Sequence, residues 1–131
     1  MEKPIRILAV DDEESFTFFV KLNLESNTMH DFKIMTATRG KEGLKLAKLY
    51  KPDLILMDVM MPDMSGAEVA EELLLDNRTK NIPIIFITAL VKKDEVKKDS
   101  GTVGGREFMA KPVSTEELVK RIETTLNLNQ G

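Results

Sequence analysis

Several side chains with metal or phosphate chemistry sit immediately after short apolar runs. Asp11 and Asp12 follow Ile5–Val10, Asp58 follows Asp53–Met57, Thr88 follows Pro83–Ile87, and Lys111 follows Glu107–Ala110. Carboxylates brought close together repel one another, and a divalent cation relieves that repulsion. An all-oxygen donor set suits Mg²⁺ or Mn²⁺ and disfavours Zn²⁺ or Cu²⁺. Mg²⁺ keeps several waters and binds one or two carboxylates, which leaves room for phosphoryl oxygens. An aspartate can act as a nucleophile that takes up a phosphoryl group. A lysine ammonium can neutralise that group and a threonine hydroxyl can hydrogen-bond it.

Whether these side chains meet depends on the elements that carry them. The apolar runs Ile5–Val10, Phe32–Ala37, Asp53–Met57, Pro83–Ile87 and Glu107–Ala110 are predicted strands. Several are continuously apolar rather than alternating, as strands covered on both faces are. Helices are predicted between them. Glu14–Ser26 carries Phe16, Phe19, Val20 and Leu24 at helical spacing, and Lys41–Tyr50 carries Leu44, Ala47 and Leu49. Gly66–Asp76 opens with Ser65 and Glu68, and the last helix, with Leu118, Ile122 and Leu126, opens with Ser114 and Glu117. Both pairs have the spacing of a reciprocal N-terminal cap. Lys92–Ser100 is poorly amphipathic, so a short or frayed helix is expected there. The pattern is strand–helix repeated five times, an α/β doubly wound parallel sheet with right-handed crossovers. Ligands in such sheets bind beyond the carboxyl ends of the strands. That rule brings Asp11, Asp12, Asp58, Thr88 and Lys111 to one edge.

Composition sets outer bounds. The 131 residues suit one domain, 1–131, with its core at about 5–127. No cysteine is present, which excludes disulfides and thiolate metal sites and fits a reducing cytoplasm. No apolar run is long enough to span a bilayer, so no membrane role is expected. The net charge of −3, with 31% charged residues of both signs, offers no concentrated basic patch for direct nucleic-acid binding.

The motifs carry a more specific signal. Ile7-Leu8-Ala9-Val10-Asp11-Asp12-Glu13 resembles the opening of two-component response-regulator receiver domains. So does the segment from Asp53 to Gly66, which contains Asp58-Val59-Met60-Met61-Pro62. Ile84-Ile85-Phe86-Ile87-Thr88-Ala89-Leu90 and Phe108-Met109-Ala110-Lys111-Pro112 complete the set in order. The resemblance implies a flavodoxin-like (βα)5 fold with a five-stranded sheet in the order 2-1-3-4-5. It implies a signalling domain rather than an enzyme, catalysing only its own phosphorylation and dephosphorylation. Asp58 would be the phosphoacceptor. Asp12, Asp58 and the backbone carbonyl of Met60 would bind Mg²⁺, with Asp11 acting through a water. Lys111 would contact the phosphoryl group, Thr88 and Phe108 would form the switch pair, and the Lys111–Pro112 bond would be cis. The donor would be a phosphohistidine on a sensor histidine kinase or phosphotransfer protein. The fourth helix, fifth strand and fifth helix would meet a downstream effector, and phosphorylation could drive dimerisation. Apolar Met60 and Leu90 flank the site where many members carry polar residues. They would position an attacking water poorly, which implies a long-lived phosphoaspartate.

Other readings of the same residues are plainer. Asp11 and Asp12 could cap the following helix, and Gly66 could simply permit a tight helix entry. Phe16, Phe18 and Phe19 read as core packing. His30, in a polar turn, is given no catalytic role. A pseudo-receiver that works without phosphate is one competing function. A Mg²⁺-dependent phosphatase of the haloacid-dehalogenase type is another, but its nucleophile would follow the first strand, whereas here the acidic pair does.

Overall fold

The computed structural model describes residues 3–89, 102–103 and 106–128. The chain runs β1 Ile5–Val10, α1 Glu14–Glu25, β2 Phe32–Ala37, α2 Gly40–Tyr50, β3 Leu54–Met57, α3 Gly66–Leu74 and β4 Ile84–Thr88. It then runs β5 Thr102–Val103, β6 Arg106–Ala110 and α4 Thr115–Leu126. The helix expected over Lys92–Ser100 lies outside the described residues.

Successive residues of the central strands face opposite sides of the sheet, and both sides are apolar. Ile7, Ala9, Leu54, Leu56, Ile85 and Ile87 pack with Val20 and Leu24 of α1 and with Leu118 and Ile122 of α4. Leu8, Val10, Ile55, Met57 and Phe86 pack with Ala47 of α2 and with Val69 and Leu73 of α3. Each fully buried Leu or Ile contributes about 1.5–3 kcal/mol relative to exposure, which is why these runs read as unbroken hydrophobic stretches. The sheet order is β2-β1-β3-β4-β6-β5. Its five parallel strands, β2, β1, β3, β4 and β6, have the order and doubly wound arrangement anticipated from the sequence.

One strand was not anticipated. Thr102 and Val103 pair antiparallel with Glu107 and Arg106, adding β5 to the edge. Two residues between glycines are too short a run to signal a strand.

Two helix faces also differ from the sequence reading. Phe18 of α1 and Leu49 of α2 are exposed. The face α1 buries is Thr17, Val20 and Leu24, so Phe18, one residue round from Thr17, points away. The buried positions of α2 are Gly40, Gly43 and Ala47. That helix lies so close to β1 that a Cβ on Gly43 would come within 2.8 Å of Val10 Cγ2. Small residues therefore form its inner face.

The helix ends follow local chemistry. Both expected caps form reciprocally: Ser65 with Glu68 on α3, and Ser114 with Glu117 on α4. Such caps are worth about 1 kcal/mol each.

Candidate metal centre

The carboxyl ends of β1, β3 and β6 meet at one edge of the sheet. The backbone sets their spacing: Asp11 N–H donates to Ala37 O at 3.0 Å, and Asp58 N–H donates to Val10 O at 2.9 Å. One carboxylate oxygen each from Asp11, Asp12 and Asp58 lies within 4.8 Å of the other two. Asp11 and Asp58 are buried and Asp12 is exposed. The group is a pocket of hard oxygen donors open on one side, and it fits a small divalent cation.

Lys111 is the cation that lies against this group. Its Nζ is 2.7 Å from Asp11 Oδ2, 2.7 Å from Glu13 Oε1 and 3.8 Å from Asp58 Oδ2. The Phe16 ring centroid lies 4.6 Å from the same Nζ. Burial pushes the Asp11 carboxyl above its ordinary range, against the hydrogen bonds from Lys111 and from Glu13 N–H and in concert with repulsion from Asp58. Burial acts to lower Lys111, but its hydrogen bonds to Asp11 and Glu13 outweigh that and hold its pKa above the ordinary value. Among the described residues the carboxylates of this group outnumber the ammonium of Lys111.

Asp11 Oδ1 accepts from Glu13 N–H at 2.9 Å. It does not cap α1, whose N-cap residue Glu13 makes no side-chain cap bond. Asp58 Oδ1 accepts from Val59 N–H at 2.8 Å. Thr88 is buried at the end of β4. Its carbonyl accepts from Lys111 N–H at 3.0 Å, so the lysine backbone is pinned to the threonine. The Lys111–Pro112 bond is cis. The half-buried Phe108 packs elsewhere, its ring stacked 5.0 Å from that of Phe86. The side chain of Met60 is exposed two residues beyond Asp58, and Leu90 lies outside the described residues.

Some residues gain a place that sequence reasoning had not given them. Gly66 does more than admit a turn. A Cβ there would collide with the carbonyl oxygen of Asp58 and lie 2.9 Å from Met57 Cγ, so α3 can only start here if this position is bare. Glu13 was quoted within a motif, but its grip on Lys111 depends on the meeting of two distant segments. Phe16 packs partly on the core, as expected, and also lies beside Lys111. Asp63 bridges to another helix: its Oδ1 accepts from Gly40 N–H at 2.9 Å and its Oδ2 from Lys41 N–H at 3.0 Å. Its only legible signal was an acidic residue in a loop.

The chain is similar to known proteins over most of its length. The family model for the response regulator receiver domain matches residues 7–123. The alkaline phosphatase synthesis transcriptional regulatory protein PhoP of Bacillus subtilis is 37% identical over 126 residues, covering 95% of this chain and 50% of that protein. Protein PilH of Pseudomonas aeruginosa is 36% identical over 122 residues, covering 92% of this chain and 97% of PilH. The chain thus spans about half the length of the first relative and nearly all of the second. The receiver domain of sensor histidine kinase PA1611 from Pseudomonas aeruginosa, solved with a magnesium ion in its active-site cleft, superposes with a TM-score of 0.78 at 21% identity, covering 95% of this chain and 99% of that one. This chain belongs to the response regulator receiver domain family of two-component signalling. Among the described residues, no helix is long and apolar enough to cross a membrane.

Proposed function

We propose that residues 1–131 form a single receiver domain that takes a phosphoryl group on Asp58 with a divalent cation, Mg²⁺ or Mn²⁺, bound beside it. The observation that carries this reading is the convergence of Asp11, Asp12 and Asp58 within 4.8 Å of one another, with Lys111 Nζ 3.8 Å from Asp58. Asp12, Asp58 and the Met60 carbonyl would hold the cation, with Asp11 acting through a water. When bound, the cation supplies positive charge against the phosphoryl oxygens.

An Asp58 carboxylate oxygen attacks the phosphorus of a phosphohistidine on a histidine kinase or phosphotransfer protein. A P–O bond forms, the P–N bond breaks, and the electron pair returns to the imidazole. Lys111 is drawn from Asp11 and Glu13 towards the new phosphoryl oxygens. Because Lys111 N–H is bonded to Thr88 O, that shift is felt on β4. The Thr88 hydroxyl turns to the phosphoryl group and Phe108 repacks, shifting an equilibrium between two arrangements. An apolar groove lined by Phe16, Phe19, Pro112 and Val113 lies beside Lys111. The effector would read β6, α4 and the segment over Lys92–Ser100, and phosphorylation would promote a dimer. The setting is cytoplasmic. The domain turns over no external substrate and touches neither nucleic acid nor membrane directly. With apolar Met60 exposed at the site, the phosphoaspartate is long-lived, and a self-hydrolysis half-life of seconds would contradict this.

Intact-mass spectrometry after incubation with Mg²⁺ and a small-molecule phosphodonor tests the core claim. The expected result is one added phosphoryl group, absent in Asp58→Asn and in chelator. No added mass on a protein that binds Mg²⁺, and none from a phosphohistidine donor either, would instead favour a phosphate-independent binding module.

A further inference from the structure

We infer that Asp63 is a positioning residue for the metal centre: it fastens the loop that carries Asp58 and Met60 to the N-terminus of α2. This rests on the metal reading proposed above.

The loop from Asp58 to Ser65 leaves β3 and enters α3. Its first residues are fixed, since Val59 N–H donates to Asp58 Oδ1 and Gly66 N–H donates to Val59 O, each at 2.8 Å. Its last residues are fixed by the Ser65–Glu68 cap. Between them lie Met60, Met61 and Pro62, and Met60 is the residue whose carbonyl would face the cation. Among the described residues, the next hydrogen-bonded anchor after Val59 is Asp63. Its strongest hydrogen bonds leave its own loop. Both carboxylate oxygens cross to α2 and accept from Gly40 and Lys41 N–H.

Among the described residues, no other side chain caps the first turn of α2. Its N-cap residue Arg39 makes no side-chain cap bond, and its first N–H groups would otherwise lack partners inside the helix. The negative charge also suits the positive end of the helix dipole. These two bonds hold the Asp63 carboxyl below its ordinary range. Packing supports the same contact. A Cβ on Gly40 would lie 2.7 Å from Met64 O and 2.9 Å from Met64 Cβ, so the loop is seated directly on the helix. α2 is in turn seated on β1 through Gly43 and Val10, and β1 ends in Asp11 and Asp12. The tether therefore fixes the Met60 side of the site relative to the Asp11–Asp12 side. Outer partners of this kind alter metal affinity by about 10–100-fold in other sites.

The test separates holding the loop from merely capping the helix. Mg²⁺ affinity by calorimetry and stability by urea unfolding are measured on the full chain for the wild type, Asp63→Ala, and Asp63→Ala with Arg39→Ser. The serine can cap α2 from its own N-cap position but cannot hold the loop. We expect Asp63→Ala to lose stability and to weaken Mg²⁺ binding by on the order of tenfold. The double variant regains stability and keeps the weakened binding. Asp63→Asn, which can keep one of the two bonds, falls between the wild type and Asp63→Ala in affinity. Wild-type affinity in Asp63→Ala would overturn the inference, as would affinity that returns together with stability in the double variant. A wild type that binds no Mg²⁺ would overturn the metal reading itself, and the inference with it.

Discussion

Titratable side chains meet at both ends of the sheet, and the two ends arrange them in opposite ways. At the carboxyl ends of the strands, Asp11, Asp58 and Glu13 lie around the ammonium of Lys111, with Asp12 beside the two aspartates. At the amino ends, His30 Nε2 meets Glu123 Oε2 at 2.8 Å, with side chains 8% and 10% exposed, and the His30 ring lies 5.3 Å from that of Phe32. The second arrangement is one group against one, closed by packing, and ties the α1–β2 loop to α4. The first sets several carboxylates against the ammonium of Lys111 and is open to solvent at Asp12. A buried one-to-one contact holds a fold together, whereas a cluster of like charge is held in place by the fold and is ready to bind.

The sharpest break of that comparison is Asp58→Asn. It should abolish stable phosphorylation, read as the missing mass increment, while the protein stays folded. Asp12→Ala comes next. Outer partners alone change metal affinity by about 10–100-fold, so loss of a direct ligand should reach or exceed that range in calorimetry. The same variant should leave unfolding in urea without Mg²⁺ within about 0.5 kcal/mol of wild type, as exposed substitutions usually do. Unchanged Mg²⁺ affinity would remove Asp12 from the ligand set.

His30→Ala should do the reverse. It leaves Glu123 buried without its partner and should cost about 1–3 kcal/mol of stability, with Mg²⁺ affinity unchanged. A double-mutant cycle with Glu123→Ala checks the pairing, and a coupling near zero would mean that the contact contributes nothing.

The smallest effect expected is a pH dependence at Asp63. Its carboxyl is held below the ordinary aspartate value of 3.8 by Lys41 and Gly40 N–H. The folded state therefore favours the ionised form. The stability it contributes is fully present above that ordinary value and is lost as pH falls through the lowered one. The stability gap between wild type and Asp63→Ala should be constant near neutrality and shrink only in acid. A gap that grew in acid would contradict the sign.

The sequence by itself determined the five parallel strands and which residues stand at their carboxyl ends. Unbroken apolar runs such as Ile7–Val10 and Leu54–Met57 read as doubly covered strands because burial on both faces removes the polar half of a strand's alternation. The rule that ligands gather at the carboxyl ends of such strands then put Asp11, Asp12, Asp58, Thr88 and Lys111 on one edge. The caps at Ser65 and Ser114 were legible because capping is local chemistry over a few residues. Only the tertiary structure decided the rest. Asp63 on the end of α2, Glu13 on Lys111, Gly66 against the Asp58 carbonyl and His30 on Glu123 each join segments brought together by folding. Local propensity and periodicity report which face a residue turns inward, not which distant group waits there.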